Sequence, residues 1–219
     1  MGVFTQEPLL SVLRPADRTA FLAAGKPRRY DPGQALMQQG ALEDFVVAIT
    51  AGWAAIRVEA VNGRSLIFGL CGPEDLVGEL AALDGRPRSA TVGALTPIEA
   101  CVISGLAFRR FLQNFPQANT AVLQSMSLRL RASDDQRQDL ATLPVLQRLA
   151  RLLLNLDEAR DRAEVAGRLT QHELATAIGA TRESAAKALA SLRVRNVLST
   201  NDRQIRIIDR AALTAIAEL

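Results

Sequence analysis

The feature that most constrains the fold is a change of period near Pro116. Between positions 33 and 105 glycine recurs at 33, 40, 52, 63, 69, 72, 78, 85, 93 and 105, and it separates short apolar runs: Phe45 to Ile49, Ala54 to Val58, Leu66 to Leu70 and Ala100 to Ile103. Short runs bounded by turn residues at this spacing predict an antiparallel all-β barrel or sandwich. Ahead of them, Leu9, Leu10, Leu13, Phe21 and Leu22 recur at roughly three and four residues, which predicts a helix over Pro8 to Ala24. Beyond Pro116, Leu123, Met126, Leu130, Ser133, Arg137 and Leu140 follow steps of 3, 4, 3, 4 and 3, a heptad seam on one helix. A long helix with so narrow a seam pairs with a copy of itself, so the sequence predicts a homodimer. Ser133 and Arg137 are polar where packing alone would favour Leu or Ile; either they set register or something polar lies against them.

Pro144 interrupts helical hydrogen bonding after Thr142 and Leu143 and marks a hinge. Val145 to Leu156 is again amphipathic, and Asp157 to Gly167 is a charged connector. Thr170-Gln171-His172-Glu173 is a capping box opening a helix over Glu173 to Ile178, which Gly179 ends. Thr181 caps the next helix, Arg182 to about Arg195. Two short helices joined by a tight glycine turn are a helix-turn-helix, and a hairpin through Leu198 to Ile208, turning at Asn201-Asp202-Arg203, adds a wing. The expected divisions are 1–118, 119–144 and 145–219.

Composition narrows the function. The chain has 219 residues, 48% hydrophobic and 22% charged, enough to bury real cores and too apolar for disorder. No run of about 18 apolar residues offers a membrane span, and Glu7, Arg14 and Asp17 interrupt the start where a leader would be apolar, so the expected location is the cytoplasm. Two cysteines, Cys71 and Cys101, and one histidine, His172, are too few for a disulfide scaffold, a cluster or a multi-histidine metal site. Both cysteines lie in apolar runs and read as small core residues. The barrel has no axial histidine for haem, and no histidine stands near a nucleophile, so neither a metal nor an enzyme is expected. Residues 145 to 219 carry 12 Lys+Arg against 9 Asp+Glu while the rest of the chain is balanced, so all of the net +3 sits there. That excess fits either nucleic acid or a solvated face.

One string carries specific chemistry: Val77-Gly78-Glu79-Leu80-Ala81-Ala82-Leu83-Asp84-Gly85-Arg86-Pro87-Arg88-Ser89-Ala90-Thr91-Val92. A cyclic phosphate needs a fixed guanidinium, here Arg88, and free amides, here of Ser89 and Ala90 and of Leu80 and Ala81 at the start of a short helix after Glu79. A ribose hydroxyl needs an acceptor, and Glu79 supplies one. The alternative is a plain surface ion pair between Arg88 and Glu79. The string closely resembles the phosphate-binding cassette of cyclic-nucleotide-binding domains, which implies those roles for the matching residues.

Ala180-Thr181-Arg182-Glu183-Ser184-Ala185-Ala186-Lys187 carries the second chemistry. Arg182, Glu183 and Lys187 project from the first turns of one helix and can face a major groove together. Arg182 suits guanine, Glu183 the cytosine amine, Lys187 a guanine or a phosphate. Arg-Glu followed by a basic residue four positions after the Glu resembles the recognition helix of the cyclic-AMP receptor protein and fumarate-nitrate regulator superfamily of bacterial transcription factors. Lys187 departs from the arginine of its best-known members. With this resemblance the whole chain reads as α+β: an N-terminal antiparallel β-roll effector domain, a long dimerisation helix and a C-terminal winged helix-turn-helix. It implies a homodimer bound to double-stranded operator DNA, RNA polymerase as a further partner, and cyclic AMP or, second, cyclic GMP as effector. The same fold with a different effector or none, cyclic di-GMP included, and a regulatory module without DNA remain open beside it. It also places Ser133 and Asp134 against the base of the nucleotide in the partner's pocket, and Thr170 and His172 near a DNA phosphate. Asp134 stands where the cyclic-AMP binders carry a hydroxyl. The alternatives are an Asp134 exposed on the helix and a His172 that is merely solvated.

Overall fold

The computed structural model describes residues 8–59, 65–158, 170–201 and 204–218. Its described part falls into two compact units, one ending at Arg129 and the other beginning at Leu130.

In the first unit, eight strands form two antiparallel four-stranded sheets. They are β1 (Lys26–Tyr30), β2 (Ala35–Met37), β3 (Phe45–Ala51), β4 (Ala54–Glu59), β5 (Ser65–Cys71), β6 (Leu76–Val77), β7 (Thr91–Ala94) and β8 (Ile98–Ser104). One sheet has the order β1-β8-β3-β6 and the other β2-β7-β4-β5. The unbroken apolar run Val46-Val47-Ala48-Ile49 makes sense because β3 is central and buried on both faces. Val47 and Ile49 point between the sheets, with Tyr30, Leu36, Met37, Val92 and Ile98. Val46 and Ala48 point the other way, into a helical layer built on Phe21, Phe108, Phe111 and Leu112. Cys71 and Cys101 are buried core residues, as their apolar runs predicted.

That helical layer comes from α1 (Pro15–Ala23), α3 (Gly105–Asn114) and the start of α4 (Pro116–Thr142); α2 (Glu79–Asp84) lies inside the cassette string. The helix expected from Pro8 begins only at Pro15. Pro15 occupies the first turn, where its fixed φ is favourable, and it holds Arg14 in an extended conformation that ends any helix before it. Leu9, Leu10 and Leu13 are nevertheless buried, presented by turns rather than by a helical face.

The second unit holds the end of α4, then α5 (Val145–Glu158), α6 (Gln171–Ala177), α7 (Arg182–Val194), the hairpin β9 (Leu198–Asn201) and β10 (Gln204–Ile207), and α8 (Arg210–Ala217). The break between α4 and α5 falls at Leu143 and Pro144, as proline dictates. Leu149, Leu152, Leu153 and Leu156 bury the inner face of α5, which packs on α7 and α8. Most of the charged connector, residues 159–167, and Asp202 and Arg203 of the hairpin turn lie outside the described residues.

Phe21 is 1% exposed and packs with its ring centroid 6.1 Å from that of Phe108 and 4.7 Å from that of Phe111. Phe21→Ala is expected to lower stability by about 3 to 5 kcal/mol, read as a lower urea midpoint at unchanged slope.

Candidate functional site

β6 ends at Val77, and the chain turns at Gly78 with φ +87°, a left-handed conformation. A Cβ here would lie 2.7 Å from Arg88 Nη1 and 2.9 Å from Met37 Cε, so backbone and neighbours both demand glycine. The turn delivers Glu79 to the first position of α2 and lets Arg88, ten residues on, fold back beneath it.

Arg88 is the most unusual group in the first unit. It is 3% exposed. Its Nη1 donates to the Gly78 carbonyl at 2.8 Å and its Nη2 to the Phe45 carbonyl at 2.6 Å. The guanidinium sits 4.6 Å from the centre of the Phe45 ring, a cation–π contact. Its Nε is buried without a hydrogen-bond partner, and no carboxylate among the described residues pairs with it. Burial pulls the guanidinium below its ordinary range, against the opposing pull of Glu43, Asp44 and Glu79.

The surface ion pair between Arg88 and Glu79 therefore does not form. Glu79 is itself buried, and its carboxylate accepts from Arg129 Nη1 on α4, while Arg129 Nη2 donates to the Leu76 carbonyl at 3.4 Å. Neither Arg129 nor Phe45 figured among the candidate residues. Arg129 is fifty positions from Glu79, too far for any local pattern. One signal did exist, since Arg129 stands one turn before Ser133 and shares its helical stripe.

The other cassette residues flank Glu79 and Arg88 along the chain. Leu80 is exposed and Ala81 buried on α2; Ser89 is exposed and Ala90 half-buried just after Arg88. Ser133 is half-buried on α4, and Asp134 is exposed, accepting from Arg137 Nη1 at 3.3 Å. What Gly78, Glu79 and Arg88 offer together is a buried cation lacking a paired anion close to a buried carboxylate. Such a pair of groups suits a ligand with one anionic group and a hydroxyl.

The second site is the helix pair. Thr170 and Glu173 form the predicted capping box: Thr170 Oγ1 accepts from Glu173 N at 3.2 Å, and Glu173 Oε2 accepts from Thr170 N at 2.8 Å. With Thr170 as cap the helix starts at Gln171, two residues earlier than expected. Gly179, at φ +59°, closes it in a Schellman arrangement: its amide donates to Thr176 O at 3.1 Å, and that of Ala180 to Ala175 O at 2.8 Å. Thr181 caps α7 by accepting from Ser184 N at 3.2 Å. Ala185, Ala188, Leu189 and Leu192 bury one stripe of α7, which leaves Arg182, Glu183 and Lys187 exposed on the other. Lys187 and Glu183 pair at 2.8 Å across one turn, and His172 is exposed in the first turn of α6.

Among the described residues no helix is long and apolar enough to cross a membrane, and no group of three His, Cys, Asp or Glu could hold a metal.

Comparison with known proteins assigns a family to each of these two regions of the chain. The family model of the cyclic nucleotide-binding domain matches residues 27–115, and that of the Crp-like helix-turn-helix domain matches residues 147–216. The chain is 28% identical over 193 residues to the CRP-like cAMP-activated global transcriptional regulator of Mycobacterium tuberculosis, covering 86% of each chain. It is also 28% identical over 190 residues to the cAMP-activated global transcriptional regulator CRP of Salmonella typhimurium, covering 84% of this chain and 90% of that one. Among solved structures, the c-di-GMP responsive global regulator CLP of Xanthomonas campestris superposes with a TM-score of 0.78 at 23% identity, over 89% of this chain and 99% of that one.

Proposed function

The chain belongs to the superfamily of the cyclic-AMP receptor protein and the fumarate-nitrate regulator, as a transcription regulator with cyclic nucleotide-binding and helix-turn-helix domains; from that premise we propose that it is a homodimer whose operator affinity is set by a cyclic nucleotide. The observation that carries the effector half of this reading is Arg88, a buried guanidinium whose Nε has no hydrogen-bond partner and which no anion among the described residues pairs. Leaving such a charge uncompensated is costly, and a bound phosphate would remove the deficit. In this reading Arg88 and the amides of Ser89, Ala90, Leu80 and Ala81 hold the phosphate. Glu79 takes the ribose hydroxyl and shares its carboxylate with Arg129. The effector thereby bears on α4, and it acts by shifting populations rather than by building a new contact from nothing.

The homodimer reading is supported by the exposure of Leu123, Leu130 and Leu140, seam residues that leave α4 with an apolar stripe in the single chain. Residues 119–144 would then be the dimerisation segment, between an effector part (1–118) and a reader part (145–219). Operator DNA would meet Arg182, Glu183 and Lys187 in the major groove, with Thr170, His172 and Thr181 beside the phosphates. The protein would work in the cytoplasm, with RNA polymerase as a further partner.

Cyclic AMP leads as effector because the curated relatives are named as cAMP-activated; cyclic GMP comes second, through Asp134. An exposed carboxylate can accept from both N1 and N2 of guanine but from only one amine of adenine. Calorimetric titration of the purified protein with cyclic AMP, cyclic GMP and cyclic di-GMP tests the reading as a whole, and silence with all three would overturn the effector half.

Arg88→Ala should abolish measurable nucleotide binding while leaving the protein folded, since a charged hydrogen bond alone contributes roughly 1.5 to 3 kcal/mol. Unchanged affinity would mean that the cassette is vestigial.

Arg182→Ala should weaken specific DNA binding by about 1 to 3 kcal/mol and relax preference at one guanine per half-site, with non-specific binding changed much less. Footprinting of the wild type should show two half-sites about one helical turn apart. Protection of a single half-site would refute the dimeric reader.

Asp134→Ser should shift the ratio of affinities towards cyclic AMP, by no more than the roughly 1.5 to 3 kcal/mol of one charge-assisted bond. Side-by-side titration of wild type and variant with both nucleotides decides it; an identical ratio in the two proteins places Asp134 outside the base site.

A further inference from the structure

Two residues outside the cassette, Asp44 and Arg109, close a ring of contacts around Arg88. Arg88 Nη1 donates to the Gly78 carbonyl at 2.8 Å, and the same oxygen accepts from Ala82 N at 3.3 Å. The Ala82 carbonyl accepts from Arg109 Nη1 at 2.6 Å. Arg109 grips both carboxylate oxygens of Asp44, Nη1 to Oδ1 and Nη2 to Oδ2, each at 3.0 Å. Asp44 is bonded in sequence to Phe45, whose carbonyl receives Arg88 Nη2 at 2.6 Å and whose ring lies along the guanidinium. The ring thus runs through α2, α3, the segment leading into β3, and Arg88 itself.

On the reading that a cyclic nucleotide occupies the cassette, we propose that Asp44 and Arg109 are positioning residues for it: they fix the spacing between α2 and the start of β3 that aims Arg88 at the phosphate, and they tie that spacing to α3.

The pair is poorly suited to any other task. Its side chains are 56% and 39% exposed, and ion pairs so open to water add little to stability. Its geometry is nonetheless demanding. The fork is bidentate, which fixes direction as well as distance, and one of its nitrogens is shared with a backbone carbonyl of α2. The first residue of α3 is shaped to admit the carboxylate: a Cβ on Gly105 would fall 1.6 Å from Asp44 Oδ1, and Gly105 N donates to the Asp44 carbonyl at 2.9 Å. The hydrogen bonds from Arg109, followed by the charges of Arg109 and Arg88, hold the Asp44 carboxyl below its usual range, so the clamp is fully charged at neutral pH. The Arg88 guanidinium needs such outside support, because among the described residues its hydrogen bonds go to carbonyls of two separate segments, and those carbonyls are aimed only as well as α2 and β3 are placed.

The test combines affinity with stability and an internal control. Arg109→Ala and, separately, Asp44→Asn are titrated calorimetrically with cyclic AMP, and the nucleotide-free proteins are melted. Each variant is expected to lose about tenfold in affinity, as for a charged contact kept but poorly aimed, while its melting temperature stays within a degree or two of wild type. Arg109→Lys keeps the charge but not the fork and should recover only part of the loss. In an Arg88→Lys background, Arg109→Ala should cost less than half as much on a logarithmic scale, because the two residues act through one contact. Unchanged affinity in both single variants would overturn the proposal, and so would a loss that is equally large in the Arg88→Lys background or that merely follows a fall in melting temperature. If Arg109→Ala does not fold, Asp44→Asn and Arg109→Lys decide alone by the same criteria. Wild-type protein that binds no cyclic nucleotide would overturn the effector reading and this proposal together, whereas wild-type binding with indifferent variants would overturn this proposal only.

Discussion

The buried charge of Arg88 is the constraint around which the first unit is arranged. Moving a guanidinium out of water costs several kcal/mol even after relaxation, and here no carboxylate among the described residues neutralises it directly. Two carbonyls and one aromatic face share the compensation, with the more distant charges of Glu43, Asp44 and Glu79 helping. Each of these depends on backbone that would otherwise have no reason to be where it is. Gly78 must turn left-handed so that its carbonyl faces back, and it must lack a side chain because Arg88 occupies that space. Phe45 opens β3, and its carbonyl must be aimed at Arg88 Nη2 from there. A site held this way is not at rest electrostatically, and that residual deficit is what an anion can relieve.

Glu79 shows the complementary strategy. Its carboxylate is also buried, yet it has a full partner in Arg129. The two buried charges of the cassette are thus treated oppositely, one paired and one left short of an anion. A ligand bearing both a phosphate and a hydroxyl meets one group that gains a partner and one that must share. The gain supplies affinity; the sharing supplies consequence, because Arg129 belongs to α4, the helix that carries the apolar seam. Differential interaction with two states is the only means by which a ligand can shift an equilibrium, and the Glu79 to Arg129 contact is where such a difference can arise.

Local signals in the sequence were reliable and distant ones were invisible. The capping box at Thr170, the left-handed Gly179 and the proline break after Leu143 are each decided within a few residues, and each lies where the pattern placed it. The cassette was legible for the same reason, as a continuous string whose turn, helix and arginine stand within sixteen positions. Arg129 and Arg109 were not, since their partners are fifty and sixty-five residues away and a lone arginine on a helix carries no mark of its partner. The element that departs furthest from its expected bounds, α1, reflects an ambiguity of period: leucines at 9, 10 and 13 are spaced as on a helix, but Pro15 disfavours a helical conformation for the residue before it, and turns can bury the same side chains. The ion pair weighed between Arg88 and Glu79 failed because proximity in sequence says nothing about which of two carbonyls or carboxylates a buried arginine will reach.

The reader helices follow from a different economy. Both helix starts are capped by threonine side chains, and the turn between them closes carbonyls of the first helix through Gly179 and Ala180, so several of the pair's terminal backbone groups are satisfied from within it. The small residues Ala185 and Ala188 let α7 sit close to its neighbours, and Leu189 and Leu192 anchor it there. Arg182, Glu183 and Lys187 are therefore held in a fixed relation to one another by a scaffold that contains none of them. Glu183 and Lys187 already pair in the free chain, and both are more than three-quarters exposed, so that pair is weak and is readily exchanged for contacts to bases or phosphates. On the proposed reading, regulation would act on the placement of the preformed reader as a whole, which the proline break at Leu143 and Pro144 frees from the continuous hydrogen-bond ladder of α4.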